Sequence, residues 1–212
     1  MKSVFFDLDG TLIDSRADLA EAVNHTRRDA GLKEISLDEV IANVGCGAKY
    51  LLEKSVPELE GRFEEILPHF YENYDLHLLD HVSLYPGAAE TLCELANRGW
   101  KMGIVTNKPN FATHKILKHL NIAQYFGDAI IAGGDCEIMK PSPVPLKLAA
   151  EKIEGCVLSE SDWMVGDNWT DLECGKAAGV STAFCSFGFG HLKESVYTAK
   201  LDSFGDLLKY CK

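Results

Sequence analysis

The chain has 212 residues and a formal net charge of −11, with 32 Asp and Glu against 21 Lys and Arg. Its length is enough to bury one large domain, or one domain with a smaller one beside it. The acidic balance argues against a nucleic-acid surface, which needs clustered Lys and Arg, and no stretch approaches the roughly 20 apolar residues of a membrane span. The seven cysteines are scattered without a Cys-x-x-Cys pair and no secretory signal opens the sequence, so we expect a protein of the reducing cytoplasm.

The first predicted strand ends at two acids. The apolar run at residues 4–6 has the β-branched and aromatic composition of a buried strand, and Asp7, Asp9 and Gly10 follow it. Because side chains alternate along an extended chain, the two carboxylates are expected to point the same way. They would then lie where open parallel sheets place their ligands. In the alternative interpretation, this is a strand-to-turn junction whose aspartates accept backbone hydrogen bonds.

An all-helical insertion is predicted after this first strand. Helical periodicity and capping patterns predict four helices, over residues 15–30, 36–41, 48–54 and 59–79. We expect Pro68 to bend the last of them. Because the insertion begins directly after the loop that carries Asp7 and Asp9, it can cover that loop as a lid.

Strands and helices alternate in the rest of the chain. Strands are predicted over residues 101–106, 128–132, 163–165 and 180–184, and helices over residues 86–99, 109–119, 143–152, 169–178 and 204–210. This alternation implies parallel βαβ units with right-handed crossovers. The expected fold is α/β, a three-layer doubly wound parallel sheet of Rossmann-like type. Its core would comprise residues 1–15 and 82–212, with residues 16–81 as the inserted helical subdomain.

Polar residues follow the predicted strands and form one candidate site. Because the ends of parallel strands meet at one edge of a sheet, seven residues are expected there: Asp7, Asp9, Thr106, Asn107, Lys140, Asp167 and Asp171. Carboxylates brought together repel each other unless a cation is present, and hard oxygen ligands select Mg²⁺ over zinc. Lysine and neutral donors suit phosphate oxygens. This combination predicts a phosphoryl-transfer site.

Four short motifs at these strand ends resemble those of a known family. They are DLDGT at residues 7–11, TN at 106–107, KP at 140–141 and GDNWTD at 166–171. In this order they resemble the motifs of the haloacid dehalogenase superfamily of phosphatases, and the helical insertion resembles that family's cap. Residues 43–49, 85–87 and 133–135, with the KPSP stretch at 140–143, are similar to the phosphoglycolate phosphatases within the superfamily.

The resemblance implies a catalytic role for three residues. Asp7 would attack phosphorus and form an aspartyl-phosphate. Asp9 would protonate the leaving alcohol and then activate the water that hydrolyses this intermediate. Lys140 would neutralise the nucleophile and the transferring group. The phosphate oxygens would be held by the backbone around Gly10, by Thr106 and by Asn107.

The resemblance also implies a bound Mg²⁺. Its ligands would be the Asp7 carboxylate, the Asp9 carbonyl, the Asp167 carboxylate and Asp171, directly or through water. Asp171 has a structural alternative, because acids in the first turn of a helix stabilise it. Asn107 has one as well, as a cap of the helix that follows.

The insertion is expected to contact the substrate's leaving group and so to determine substrate specificity. Gly47 and Lys49 are the candidates, with a solvent-facing helix lysine as the alternative for Lys49. The implied activity is hydrolysis of a small phosphorylated metabolite, foremost 2-phosphoglycolate, by a cytoplasmic monomer or homodimer without a nucleic-acid or membrane partner. Alternatives are a sugar phosphomutase similar to β-phosphoglucomutase, a nucleotide or pyrophosphate hydrolase, and an interaction protein that kept the fold without the chemistry.

Overall fold

The structure, a computed structural model, describes residues 2–212. The strands are β1 (Ser3–Phe6), β2 (Ile13–Asp14), β3 (Ser83–Leu84), β4 (Lys101–Pro109), β5 (Ile130–Gly133), β6 (Trp163–Gly166), β7 (Ser181–Cys185) and β8 (Ala199–Leu201). The α-helices are α1 (Arg16–Asp29), α2 (Leu37–Ile41), α3 (Ala48–Ser55), α4 (Phe63–His77), α5 (Ala88–Asn97), α6 (Asn110–His119), α7 (Val144–Glu151) and α8 (Trp169–Ala178). Short 3₁₀ helices occupy Pro57–Leu59, Ala123–Tyr125 and Phe204–Lys209.

Six strands form one parallel sheet in the order β5-β4-β1-β6-β7-β8. Strand β1 lies at its centre, where Phe6 is in register with Ile104 of β4 and Val165 of β6. The predicted doubly wound parallel sheet is therefore confirmed. Strand β4 extends three residues beyond its predicted end, and β8 was not predicted.

Strand β1 is covered on both faces. Val4 and Phe6 belong to the larger apolar core, and Phe5 packs into the smaller one on the opposite face, with Val105 and Met164. All five side chains are buried. A strand buried on both faces has a continuous apolar run rather than alternating polar residues, which accounts for the composition of residues 4–6.

Helices α1 to α4, which we call the helical insert, are joined to the sheet by two short strands. Strands β2 and β3 pair antiparallel, with Ile13 opposite Leu84 and Asp14 opposite Ser83. Neither strand was predicted, because two residues are too few to produce a periodic pattern. The paired strands bring the entry and exit of the helical insert side by side.

The long helix predicted over residues 59–79 is present as α4, Phe63–His77, but its predicted start is wrong. The 3₁₀ turn Pro57–Leu59 precedes α4, and Gly61 lies between them at a φ of +85°. That conformation cannot continue a right-handed helix, and glycine is the residue that adopts it at little cost. Pro68 lies inside α4. The predicted terminal helix over residues 204–210 is a 3₁₀ helix instead.

The helical insert rests on the sheet domain through polar and aromatic contacts. Lys115 Nζ donates to the Asp75 backbone carbonyl at 2.6 Å, and the Tyr71 ring meets Phe111 with centroids 5.5 Å apart. Within residues 2–212, no helix has the length and apolar character needed to cross a membrane.

Candidate active site

The carboxyl ends of β1, β4 and β6 converge on one cavity beneath the helical insert. Asp7 and Asp9 follow β1, Thr106 and Asn107 lie near the end of β4, and Asp167 follows β6. The cavity lies between this edge of the sheet and residues of α1, α3 and α4. The structure thus brings together the groups expected at the strand ends.

Three buried carboxylates lie close enough together to hold a metal ion. Ligand oxygens of Asp7, Asp167 and Asp171 are all within 4.8 Å of one another. Burial raises the pKa of Asp167 well above its usual value, and the neighbouring charges of Asp171 and Asp7 add to this. Burial and the Asp7 charge also raise the pKa of Asp171, against the opposing effect of Lys140. The cluster therefore lacks positive charge.

Lys140 supplies part of that charge. Its side chain is fully buried, and Nζ lies 2.6 Å from Asp171 Oδ1 and 2.9 Å from Asp7 Oδ1. Burial alone would lower the pKa of Lys140, but the two carboxylates outweigh it and raise the pKa. The contact with Asp7 has the distance of an ion pair but not the angle of a hydrogen bond. Within residues 2–212, Asp7 Oδ1 therefore has no hydrogen-bond partner.

Asp171 performs the helix-capping role that the sequence offered as an alternative. Its Oδ2 accepts the Asn168 N–H at 3.0 Å, while the Asn168 side chain caps α8 in return. Its Oδ1 accepts from Lys140. Each oxygen thus accepts one hydrogen bond and keeps a second lone pair, so Asp171 can contact a metal directly or through water.

A loop that the sequence reasoning missed holds Asp167 in place. The backbone N–H groups of Phe189 and Gly190 donate to Asp167 Oδ2 at 3.0 and 2.7 Å. The sequence offered only a weak signal for this loop. Glycines follow strand β7, which ends at the same edge of the sheet. Backbone N–H groups belong to every residue, so their use cannot be identified from residue type.

Gly10 allows Asp167 to approach the first loop. Gly10 has a φ of +77°, and a Cβ at this position would overlap the Asp167 carboxylate. We expect Gly10→Ala to lower the free energy of unfolding and to remove activity, because Asp167 must move. Gly99→Ala is the matched control: φ is +79° and the space around it is open. Its effect should be confined to the backbone strain of about 1 kcal/mol.

Urea unfolding and steady-state turnover of both variants provide the measurement. Equal effects of the two substitutions would show that backbone strain, rather than the contact with Asp167, makes glycine necessary at Gly10.

Asp9 accepts hydrogen bonds from two side chains that are distant from each other in the chain. Ser15 Oγ donates to its Oδ1 at 2.5 Å, and Lys108 Nζ donates to Oδ1 and Oδ2 at 2.8 and 3.1 Å. Lys108 also donates to the Tyr74 hydroxyl of α4 at 2.6 Å. The sequence reasoning did not identify Lys108. Its position two residues beyond Thr106, on the same side of an extended chain, was an available signal.

The structure gives Asn107 a bridging role. Its Nδ2 donates to the carbonyls of Gly45 and Lys140 at 2.9 and 3.0 Å, and its Oδ1 accepts the Lys140 N–H at 3.0 Å. Both amide hydrogens are used, so neither is left for a phosphate, and the side chain does not cap α6. Asn107 instead fixes the backbone of Lys140 and joins it to the helical insert.

Two phosphate contacts expected from the sequence have different outcomes. The Gly10 N–H donates to the Ile13 carbonyl at 2.9 Å, so it is occupied, whereas the N–H groups of Leu8 and Asp9 bond no acceptor in the described chain. The Thr106 hydroxyl is buried and lines the cavity, accepting the Lys108 N–H at 3.3 Å. Its own proton is therefore available to a bound group.

The two specificity candidates of the helical insert lie in different surroundings. Gly47 lines the cavity. Lys49 is not among the lining residues; it is exposed and bonded to Glu64, as expected for a solvent-facing helix lysine. The structure therefore does not bring Lys49 to the site.

The donor set fits a small, hard divalent cation. Asp7, Asp167 and Asp171 offer carboxylate oxygens only, and Asp7 Oδ1 has no hydrogen bond to give up. Oxygen ligands with high negative charge are those that Mg²⁺ prefers. A divalent cation would also offset the repulsion that raises the pKa of Asp167.

Comparisons with known proteins agree with this geometry. A phosphoglycolate phosphatase of Aquifex aeolicus is 36% identical over 214 residues, covering 99% of this chain and 96% of that protein. One of Vibrio cholerae is 34% identical, covering 97% of this chain and 93% of that protein. The crystal structure of a predicted phosphoglycolate phosphatase from Haemophilus somnus superposes with a TM-score of 0.91 at 28% identity, covering 100% of this chain and 98% of that one.

A family model confirms the resemblance expected from the strand-end motifs. It is described as haloacid dehalogenase-like hydrolase and matches residues 4–185, which include β1 and the strand ends that form the cavity. With the curated relatives matched over nearly their whole lengths, the chain belongs to the haloacid dehalogenase-like hydrolase family.

Proposed function

We propose that this protein hydrolyses 2-phosphoglycolate through an aspartyl-phosphate on Asp7, with Mg²⁺ bound. The chain is a phosphatase of its family. The single observation that carries the finer proposal is the state of Asp7. One of its oxygens is buried without a hydrogen bond, lies beside the Lys140 ammonium, and shares a cavity with Asp9.

Asp7 and Asp9 would divide the reaction between them. Asp7 attacks phosphorus, so that a bond from its oxygen forms while the bond to the ester oxygen breaks. Asp9 gives a proton to the departing alkoxide. In the second step Asp9 takes a proton from water, and the oxygen of that water displaces Asp7 from phosphorus. Inorganic phosphate and glycolate are the products.

The remaining groups of the site would stabilise the negative charges of Asp7 and of the phosphoryl group. Lys140 keeps Asp7 ionised and faces the transferring group, while the Thr106 hydroxyl and the N–H groups of Leu8 and Asp9 donate to phosphate oxygens. When bound by Asp7, Asp167 and the Asp9 carbonyl, with Asp171 directly or through water, Mg²⁺ supplies further charge neutralisation.

We further propose that residues 16–81 act as a cap over a catalytic core of residues 1–15 and 82–212. Contacts between the helical insert and the strand ends support this, because the Asn107 amide reaches the Gly45 carbonyl and Lys108 reaches Tyr74. Closing the cavity keeps bulk water from the reacting groups. We place the enzyme in the cytoplasm, as a monomer or homodimer acting on a small phosphorylated metabolite.

The side chains that the helical insert contributes to the cavity favour hydrolysis over isomerisation of a sugar phosphate. Its lining side chains are mainly apolar: Leu19, Val44, Ala48, Leu51 and Phe70. A mutase must bind a sugar with many hydroxyl groups in two orientations, and buried apolar side chains cannot satisfy those hydroxyls. A small leaving group needs fewer partners.

A turnover screen with Mg²⁺ tests this function. Release of inorganic phosphate and formation of isomers are measured with 2-phosphoglycolate, β-glucose 1-phosphate, nucleotides and pyrophosphate. We expect phosphate release to be fastest from 2-phosphoglycolate, without isomer formation, and to stop when a chelator removes the metal. Isomer formation, a preference for nucleotides or pyrophosphate, or full turnover with chelator would contradict the proposal.

A further inference from the structure

The cavity has one positively charged lining residue among those that the structure describes. Its charged lining residues are Asp7, Asp9, Asp167 and Lys108. The three acids lie on the phosphoryl side, at the ends of β1 and β6, while Lys108 reaches from β4 to the helical insert. An anionic group on the leaving alcohol would need a positive counter-charge, and Lys108 is the described lining residue that carries one.

Lys108 is bonded to the acid proposed to protonate the ester oxygen. Its Nζ donates to both oxygens of Asp9, so an ester oxygen that takes a proton from Asp9 would lie close to the ammonium. The Lys108 side chain is only 1% exposed, and its ammonium is held between the Asp9 carboxylate and the Tyr74 hydroxyl.

Tyr74 adds a hydrogen-bond donor to the same place. Its hydroxyl oxygen accepts from Lys108 and, within residues 2–212, its proton has no acceptor. Burial raises the pKa of Tyr74 to about 12, so the hydroxyl keeps that proton at neutral pH. Tyr74 lines the cavity, and an unused donor there is available to a bound anion.

We infer that Lys108 and Tyr74 form the subsite for an anionic group on the leaving alcohol, a carboxylate separated from the ester oxygen by a single carbon atom. This inference rests on the proposed function, since it takes Asp9 as the proton donor. When Asp9 turns one oxygen toward the ester oxygen, it releases one N–H of Lys108, and the substrate carboxylate accepts that bond. The subsite contains neither Gly47 nor Lys49.

The kinetic test compares 2-phosphoglycolate with ethyl phosphate, which has a similar carbon skeleton and no carboxylate. The measured quantity is the ratio of the two kcat/KM values. We expect Lys108→Met to lower this ratio about 10- to 100-fold, as for the loss of a hydrogen bond to a charged group, and Tyr74→Phe to lower it several-fold. Lys108→Arg should retain most of the preference, and Lys49→Met should leave the ratio unchanged.

A binding measurement keeps the test decisive if Lys108→Met stops turnover. In an Asp7→Asn background, titration calorimetry gives the Kd of both esters with and without Lys108→Met, and the melting temperature confirms folding. If Lys108→Met raises the Kd of 2-phosphoglycolate and leaves that of ethyl phosphate unchanged, the result supports the subsite. Equal weakening of both esters, or an unchanged kinetic ratio, overturns it and leaves Lys108 as a residue that only positions Asp9.

The two proposals fail in different ways. If the wild-type enzyme releases no phosphate from 2-phosphoglycolate, the proposed function fails, while calorimetry still reports whether Lys108 distinguishes the carboxylate. If turnover is present and the ratio does not respond to Lys108→Met, the proposed function stands and the subsite fails.

Discussion

Asp7→Asn is expected to abolish phosphate release from every phosphomonoester while leaving the protein folded. The amide nitrogen or oxygen of asparagine cannot form the acyl phosphate that the proposed mechanism requires. Loss of an essential nucleophile can reduce kcat on the order of 10⁶-fold. Asp128→Asn, at an exposed position outside the cavity, is the matched control and should retain full activity.

The same variant should be more stable than the wild type when Mg²⁺ is absent. It removes one of three buried carboxylates that face a single buried lysine within the cluster. The repulsion from Asp7 contributes to the raised pKa of Asp167, so neutralising Asp7 relieves it. Melting curves in chelator measure this. Retained turnover would refute Asp7 as nucleophile, and a melting temperature below that of the wild type would refute the account of the cluster's charge.

Lys140→Met should be the most destabilising substitution in the carboxylate cluster of Asp7, Asp167 and Asp171. It leaves Asp171 and Asp7 buried without their ammonium, and breaking a buried ion pair by removing one partner costs about 3–5 kcal/mol. Urea unfolding measures the loss. Lys147→Met, which removes an exposed lysine of α7, should change the free energy of unfolding by less than about 0.5 kcal/mol.

A double variant separates charge from packing at this position. Asp171→Asn added to Lys140→Met removes one of the stranded charges and keeps an oxygen for the Asn168 N–H. We expect it to recover part of the lost stability, although not the activity. A double variant no more stable than Lys140→Met would mean that the ammonium matters through its packing rather than through its charge.

The positions of the acids at the strand ends were predictable from the geometry of a parallel sheet. Parallel strands place their carboxyl ends at one edge of the sheet, and a buried strand that stops at Asp7 or Asp167 is visible as an abrupt change of composition. The rule does not depend on how the intervening helices pack. It therefore located both acids although the helical insert and three strands of the sheet lie between them in the chain.

Lys108 was missed because the predicted strand stopped too early. A lysine followed by proline suggests a solvated turn, yet β4 continues through Pro109 and carries the side chain into the cavity. Its partner Tyr74 lies on a helix whose orientation over the sheet follows from tertiary packing. No local pattern states which face of α4 meets the strand ends, so this contact could not be derived from the sequence.

The central position of β1 separates the parts of the proposed site in the order of synthesis. This strand is synthesised before its neighbours β4 and β6, which begin only at Lys101 and Trp163. The loop at Phe189 and Gly190 that holds Asp167 follows later still. A nascent chain thus carries Asp7, the proposed nucleophile, long before the strands on either side of β1 have been made. The proposed site can be complete only after Gly190 has been synthesised.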